Sequence, residues 1–278
     1  MKKNWKILLA LCVLVAVCLL ALRGRIFSVD AKDKPQKKKT ALSIGESFHL
    51  ETSLSPEGPA AAIKKVKKPP KVKTYPKAKV VKLPAPSLGG KTVEEAIKAR
   101  RSERTWGGSP LTMDELSQIL FAAQGVSGES CGQPLRTAPS AGALYPFEVY
   151  GVVLNVKELP DGIYHYRPAD HALEVVKEGD FGGKIAQAGL GQDMLGEAGV
   201  TLALAAVFDR TRQKYGERGF RYVYMEAGHI AQNVLLEAAS LGLGSVCVGA
   251  FYDEEVNKLL GLDGMQEAAV YLQPVGVP

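Results

Sequence analysis

The 278 residues contain only four cysteines, too few and too unevenly placed for a disulfide framework. Cys12 and Cys18 lie inside an apolar run, which leaves Cys131 and Cys247 as an isolated pair. No group of cysteines and histidines has zinc-ligand spacing, so no metal site is expected. The chain has no Walker A sequence and no Gly-x-Gly-x-x-Gly after a strand. Gly242-Leu243-Gly244 follows a helical stretch, the wrong context for a dinucleotide fingerprint. Glu226 and Glu237 show no paired spacing suited to two-carboxylate hydrolysis. Internal repeats are absent too, which excludes solenoids and propellers.

Positive charge is scarce in most of the chain despite a formal net charge of +6. Residues 1–90 carry 19 Lys+Arg against 5 Asp+Glu, whereas 91–278 carry 16 against 24. The basic character belongs to a leader and the body is acidic, so no nucleic-acid partner is expected. Ile7 to Leu22 is an unbroken apolar run preceded by Lys2, Lys3 and Lys6. It is long for a signal h-region and slightly short for a span, and the cleavage signals after it are weak. Residues 1–30 are therefore expected to form an uncleaved signal-anchor, with a cleaved signal peptide as the alternative. An N-terminal signal predicts export of the body, although Arg23, Arg25 and the lysines between 32 and 39 oppose that orientation. Residues 31–90, rich in Lys, Pro and Ala, have too little apolar surface to fold alone. They are expected to form a disordered tether that holds the body off the bilayer.

Order is expected to begin near Thr92. Thr92-Val93-Glu94-Glu95 and Thr112-Met113-Asp114-Glu115 are capping-box patterns. The first predicts a helix to about Arg101, and the second a helix ended by Gly125. A Gly-rich loop over 125–142 should then lead into a strand over 148–154. Two short strands follow over 162–166 and 172–176, separated by Pro168-Ala169-Asp170. The continuous apolar run 201–208 has the length and character of a strand buried on both faces. A long helix over 221–241 presents Ala227, Ile230, Ala231, Val234, Leu235 and Ala238 to a core. A buried strand over 245–250, a helix over 253–260 and a strand over 269–275 complete the body. Strands and helices mix without βαβ alternation, which favours an α+β layer fold.

Two stretches carry chemistry. Arg100-Arg101-Ser102-Glu103-Arg104 concentrates guanidinium groups and a hydroxyl, which suits a phosphate. Arg101 and Arg104 share a face if the helix persists that far. Alone, the run reads equally well as a solvated helix end complementing the dipole. The second stretch is Arg-Thr-Ala-Pro-Ser-Ala-Gly-Ala-Leu-Tyr-Pro at 136–146, small residues anchored at the start of a strand. Its main-chain N–H groups could lie against a flat ring, although such residues also make plain turns. Together the two stretches describe the phosphate and ring ends of flavin mononucleotide, which brings its own redox chemistry. His229 lacks partners at metal spacing and is expected to be a hydrogen-bonded core residue. Asn233, one turn along, is a candidate for touching flavin or substrate.

Over about 100–276 the sequence resembles the nitroreductase-like flavoproteins. It is most similar to their SagB-type branch, the thiazole/oxazole dehydrogenases that oxidise azoline rings in modified peptides. The matching stretches begin with Arg-Arg-Ser-Glu-Arg-Thr-Trp (100–106), Leu-Ser-Gln-Ile-Leu-Phe-Ala-Ala-Gln-Gly (116–125) and Thr-Ala-Pro-Ser-Ala-Gly-Ala-Leu-Tyr-Pro (137–146). They continue with Lys-Tyr-Gly-Glu-Arg-Gly-Phe-Arg-Tyr (214–222), Glu-Ala-Gly-His-Ile-Ala-Gln-Asn (226–233) and Leu-Gly-Leu-Gly-Ser-Val-Cys-Val-Gly-Ala-Phe (241–251). The resemblance implies an α+β sandwich with a central, mainly antiparallel sheet, and FMN bound at the interface of a homodimer. It implies that Arg100, Arg101, Ser102 and Arg104 hold the phosphate and ribityl end. Pro139, Ser140, Ala141 and Ala143 would border the isoalloxazine from one protomer, and Val248, Gly249 and Ala250 would meet the ring from the other side. Lys214 and Tyr215 match a catalytic Lys-Tyr pair. A desolvated lysine there would take a proton, and the tyrosine would relay it or bind substrate. The plain alternative is an exposed loop pair without a role. The family's usual basic residues near the C-terminus have no counterpart here, and Arg218 or Arg221 are candidates to compensate.

The expected organisation is a signal-anchor (1–30), a linker (31–90) and an FMN domain (91–278). The expected function is a membrane-tethered, FMN-dependent oxidoreductase. It would move hydride between flavin N5 and a small-molecule or peptide-derived substrate. The alternatives are a general nitro or quinone reductase drawing on NAD(P)H, and a non-catalytic scaffold that keeps the fold.

Overall fold

The computed structural model describes residues 42–56, 58, 59, 66, 68–87 and 89–278. The apolar run 7–22, and with it the expected signal-anchor, lies outside the described residues. Among those described, no helix is long and apolar enough to cross a membrane. The chain divides into two compact units, Met1–Ser47 and Phe48–Pro278. Ser43 opens helix α1 (Ile44–Glu51), its hydroxyl and N–H both donating to Glu46.

In the second unit a short ribbon pairs β1 (Leu54–Ser55) with β2 (Gly58–Pro59). Then come β3 (Val80–Lys82), α2 (Val93–Ala99), α3 (Met113–Gln124) and a hairpin of β4 (Val126–Ser130) and β5 (Gln133–Arg136). The chain continues through β6 (Phe147–Val153), β7 (Gly162–Arg167), β8 (Ala172–Glu178), α4 (Gly182–Ala188) and α5 (Met194–Glu197). It ends with β9 (Val200–Val207), α6 (Asp209–Tyr215), α7 (Gly219–Leu241), β10 (Gly244–Ser245), α8 (Asp253–Leu260) and β11 (Glu267–Gly276). Both capping boxes form as the sequence predicts, with Thr92 and Thr112 each exchanging hydrogen bonds with the residue three on.

Seven strands make one sheet in the order β10-β11-β9-β6-β7-β8-β3, with every neighbouring pair antiparallel. β9 lies inside this sheet with both faces covered, as its apolar run requires. Leu202, Leu204 and Ala206 join one core with Leu116, Ile119 and Leu120 of α3 and Val223, Ile230 and Val234 of α7. Ala203 and Ala205 point the other way, into a core with Ile185, Leu195, Val256 and Leu260 from α4, α5 and α8. The result is an antiparallel sheet between two helical layers, the α+β arrangement expected.

Four expectations change. The disordered tether is corrected over its described C-terminal part, because β3 pairs with β8 and extends the sheet. The stretch before β3 is clamped as well. Lys73 N–H donates to Glu148 (3.1 Å) and Tyr75 N–H to Glu174 (3.1 Å), while Lys73 Nζ meets Tyr150 Oη at 2.7 Å. A basic segment without a core of its own thus folds by borrowing a free strand edge and buried carboxylates. The glycine-rich loop contains the β4–β5 hairpin. The first helix stops at Ala99 rather than near Arg101, since Arg100 adopts φ −52°, ψ 125°. The strand expected over 245–250 is only Gly244–Ser245 plus a bridge from Val248 to Leu272, because Gly249 and Ala250 turn out to solvent.

A buried polar line crosses the sheet beneath the clamped segment. His165 sits between Glu148 (Nε2, 2.9 Å) and Glu174 (Nδ1, 2.9 Å), and Arg210 closes on the outer oxygen of Glu148. Burial alone would raise the Glu148 carboxyl. The His165 hydrogen bond and the Arg210 charge outweigh it and hold the group below its ordinary value. Its contribution to stability is therefore present above the ordinary carboxylate range and lost as pH falls through the lowered value. Glu148→Ala should cost about 3–5 kcal/mol in urea unfolding by stranding a buried guanidinium. Lys82→Ala, which breaks an exposed pair with Asp170, should cost less than about 1 kcal/mol.

Candidate functional site

The small-residue loop forms a tight turn pegged by Ser140. The Ser140 carbonyl accepts from Ala143 N–H at 3.0 Å, and its hydroxyl oxygen accepts from Tyr145 N–H at 2.9 Å. Gly142, Ala143 and Tyr145 take φ of 65°, 52° and 44°. Glycine adopts that region freely, but alanine and tyrosine each pay about 1 kcal/mol or more. Arg136 braces the turn from β5. Its N–H donates to Tyr145 Oη (3.2 Å), and its guanidinium lies 4.9 Å from the Tyr145 ring centroid. From α7, the side chain of Glu226 is buried, and burial pushes its carboxyl up to about 7, opposed by the nearby Ser140, Arg136 and Ala141.

Lys214 and Tyr215 end α6, a helix with no side-chain cap to announce it in the sequence. A Cβ built on Gly142 would lie 2.8 Å from both Lys214 Nζ and Tyr215 Oη. The pair thus converges on the turn expected to border the ring, and the missing side chain of Gly142 admits it. The Tyr215 ring stands edge-on to Tyr222, centroids 4.9 Å apart. Arg210, one turn earlier, fixes α6 by donating to Tyr145 O (3.2 Å), Pro70 O (2.8 Å) and Glu148. Lys214 is exposed in the single chain, so the expected desolvation is not met within one protomer.

The arginine cluster lies elsewhere. With α2 ended at Ala99, Arg101 and Arg104 do not share a helical face, which corrects that expectation. Ser102 bridges Ser245 and Glu103 N–H donates to Ser245 O at 3.1 Å, so the cluster runs beside β10. Arg101 donates to the carbonyls of Lys98 and Arg100, and Arg104 to that of Ser102. Among the described residues, Arg100, Arg101 and Arg104 form no ion pair within 4 Å, which leaves their charge for an anion. Burial pushes the Cys247 thiol up, opposed by a Tyr271 hydrogen bond and the Arg100 charge. Arg100 therefore acts across to the strand end that carries Val248, Gly249 and Ala250.

The candidates fall into two groups next to opposite ends of α7. One is Pro139, Ser140, Ala141 and Ala143 with Lys214 and Tyr215. The other is Arg100, Arg101, Ser102 and Arg104 with Val248, Gly249 and Ala250. His229 is exposed, not a core residue, because it falls on the outer face of α7. The Asn233 amide donates to Ala122 O (3.1 Å) and ties α7 to α3. Arg218 and Arg221 spend their guanidinium groups on the backbone and side chains around His49 and Thr52. No metal-binding cluster occurs among the described residues. Glu226 was overlooked as part of the site, although a carboxylate on the apolar stripe of a helix is a readable signal. Arg210 and Lys73 carry no such signal. The donor set fits FMN: unpaired guanidinium groups and a hydroxyl for a phosphate, and an open turn of small residues for a flat ring.

Comparisons with known proteins identify the family. The model for the nitroreductase family matches residues 97–277. The chain belongs to the nitroreductase family. That family is one of oxidoreductases, typically dependent on flavin. A Methanocaldococcus jannaschii protein assigned as a nitroreductase is 46% identical over 184 residues, covering 66% of this chain and 90% of its own. The microcin B17-processing protein McbC of Escherichia coli is 33% identical over 171 residues, covering 60% of this chain and 62% of its own. A crystal structure assigned as a nitroreductase from Anabaena variabilis superposes with a TM-score of 0.69 at 28% identity. It covers 87% of this chain and 49% of that one, so the chain spans less than two thirds of the latter two proteins.

Gly142→Ala tests the convergence on the turn. A methyl at positive φ should cost about 1–2 kcal/mol. It should also displace the ends of Lys214 and Tyr215, which a crystal structure of the variant would reveal. An unmoved pair would contradict the packing described.

Proposed function

We propose that this nitroreductase-family chain is an FMN-dependent oxidoreductase of SagB type that works as a homodimer. The observation that carries the reading is the convergence of Lys214 Nζ and Tyr215 Oη on Gly142, inside the turn suited to a flat ring. FMN bound there would supply a two-electron centre that exchanges hydride at N5. The chain's own residues bind, orient and move protons. Arg100, Arg101, Ser102 and Arg104 take the phosphate through charge-assisted bonds. Pro139, Ser140, Ala141 and Ala143 border one side of the ring, and Val248, Gly249 and Ala250 the other. Main-chain donors of the turn stabilise negative charge on the pyrimidine end. Lys214 accepts the substrate proton as hydride leaves, and Tyr215 relays it or holds the substrate.

Two features support a dimer. The phosphate group and the ring group adjoin opposite ends of α7, and Glu226 and Leu241 are about 22 Å apart along its axis. Two copies with α7 running in opposite directions would bring one protomer's arginines to the other's turn. Val93 and Ile97 of α2 and Tyr224 and Met225 of α7 offer apolar surface, each more than half exposed. Such pairing would also withdraw Lys214 from water. The likeness to a microcin-processing protein favours a peptide-derived substrate. The apolar run 7–22 favours tethering at a membrane with the body exported. The relative assigned as a nitroreductase favours a second reading, reduction of nitro or quinone compounds with NAD(P)H.

Purified full-length protein should show the two-banded yellow flavin spectrum and elute as a dimer. A colourless protein after reconstitution with excess FMN, or a strict monomer, would sink the proposal. Lys214→Ala and Tyr215→Phe should each slow substrate oxidation by about 100-fold or more with FMN still bound. Rapid bleaching of the flavin by NADPH would favour the reductase reading instead.

A further inference from the structure

Arg218 and Arg221, the arginines of the stretch 214–222, turn their guanidinium groups to the N-terminal segment. Arg218 donates to the Thr52 carbonyl at 2.8 Å, and Arg221 to the Thr52 hydroxyl and the His49 carbonyl. Thr52 is itself buried, with 5% of its surface exposed, although it belongs to a leader that has no core of its own. The His49 and Thr52 carbonyls stand at the C-terminal end of α1, where helix carbonyls lack partners within the helix and attract cations.

The same Arg218 guanidinium faces the candidate site. Its Nε donates to Tyr222 Oη at 2.8 Å, and its central carbon lies 5.5 Å from the Tyr222 ring centroid. The Tyr222 ring stands edge-on to Tyr215, whose Oη lies 2.8 Å from the place a Gly142 Cβ would take. An unbroken line of contacts thus runs from Thr52 through Arg218 and Tyr222 to Tyr215. The corner between α6 and α7 leaves it little slack. A Cβ on Gly219 would lie 3.1 Å from the Arg212 backbone, and Arg212 pairs with Asp209 and Glu217 at 2.7 Å each.

We propose that Arg218 is a positioning residue for Tyr215. Seated on Thr52, it holds Tyr222 and through that ring sets where the Tyr215 hydroxyl points, so the N-terminal segment completes the candidate site. The catalytic part of this proposal rests on the Lys214 and Tyr215 reading above. A guanidinium suits the task because its donors diverge in fixed directions, so one group holds a carbonyl and a phenol at a set separation. Placement matters for a hydroxyl that relays a proton or binds substrate, since a shift of about 1 Å can slow a reaction about 100-fold.

The experiment records the Tyr215 ring resonances by ring-selective isotope labelling of tyrosine in the full-length chain, assigned with Tyr215→Phe. The ring of Tyr164, buried in the core, is a reference outside the line. Arg218→Ala should shift the Tyr215 signals and leave those of Tyr164 in place. Tyr222→Phe keeps the ring but removes the acceptor; it should shift them too, and it serves as the test if Arg218→Ala does not fold. The double variant should shift Tyr215 no further than Arg218→Ala alone, because both changes act on one line. Thr52→Pro removes the N–H that donates to Phe48 O and dislodges the carbonyl that seats Arg218, so it should reproduce the shift. Stopped-flow reduction of bound FMN, by NADPH and by a thiazoline-containing peptide, supplies the second readout. Arg218→Ala should lower the limiting rate about tenfold, with the half-saturating concentration and the Kd for FMN unchanged. Unmoved Tyr215 signals, shifts that add in the double variant, or a limiting rate equal to wild type would overturn the proposal. Signals that stay put in Thr52→Pro alone would remove the N-terminal segment from it. A chain that never binds FMN, or whose flavin neither compound reduces, would overturn the FMN oxidoreductase reading. The ring signals need no flavin and would still decide the placement of Tyr215.

Discussion

The Glu148 carboxylate joins four parts of the chain that have little else in common. It accepts from the Lys73 backbone, the Arg210 guanidinium and His165, and it sits on β6 immediately after the small-residue turn. A charge this deeply buried persists only if every lone pair has a donor. The donors come from the clamped N-terminal segment, from α6 and from the neighbouring strand, so the requirement itself draws those pieces together. Arg210 then fixes the start of the helix that ends in Lys214 and Tyr215. The position of the candidate catalytic pair is in this sense a consequence of neutralising Glu148.

Two buried glutamates bracket the turn and behave oppositely. Glu148 has donors on both oxygens and an arginine at contact distance, so it is held ionised. Glu226 has a bare oxygen and only a more distant guanidinium, so burial wins and the proton is retained to about 7. The difference lies in the number of donors supplied, since both side chains are about equally buried. One carboxyl therefore anchors the segments that donate to it, while burial holds the proton on the other to a higher pH.

Much of this was legible in the sequence where local rules act alone. Both capping boxes, the buried strand β9, the stripe of α7 and the helix over 253–260 follow from periodicity and capping chemistry. The family resemblance rested on ordered motifs, and the matched family model agrees with it. What could not be read depends on contacts distant in sequence. The stretch holding Lys73 and Tyr75 looks like a solvated tether because its partners, Glu148 and Glu174, lie 75 and 99 residues further on. Arg210 resembles any surface cation until β6 is laid beside it. His229 was misread for the opposite reason, since a polar residue one position past an apolar stripe can face either way.

The arrangement also bears on why a turn of tiny residues carries so much strain. A loop built to present its main chain to a planar ligand must leave its outer side bare, so its own side chains cannot brace it. Support has to come from behind, and here it comes from the Ser140 hydroxyl and Arg136 on one flank and from α6 on the other. Gly142 is the point where those demands meet, because any side chain there would occupy the space of Lys214 and Tyr215. An open turn and a close-set candidate pair are then two results of one omission, the absent Cβ at position 142.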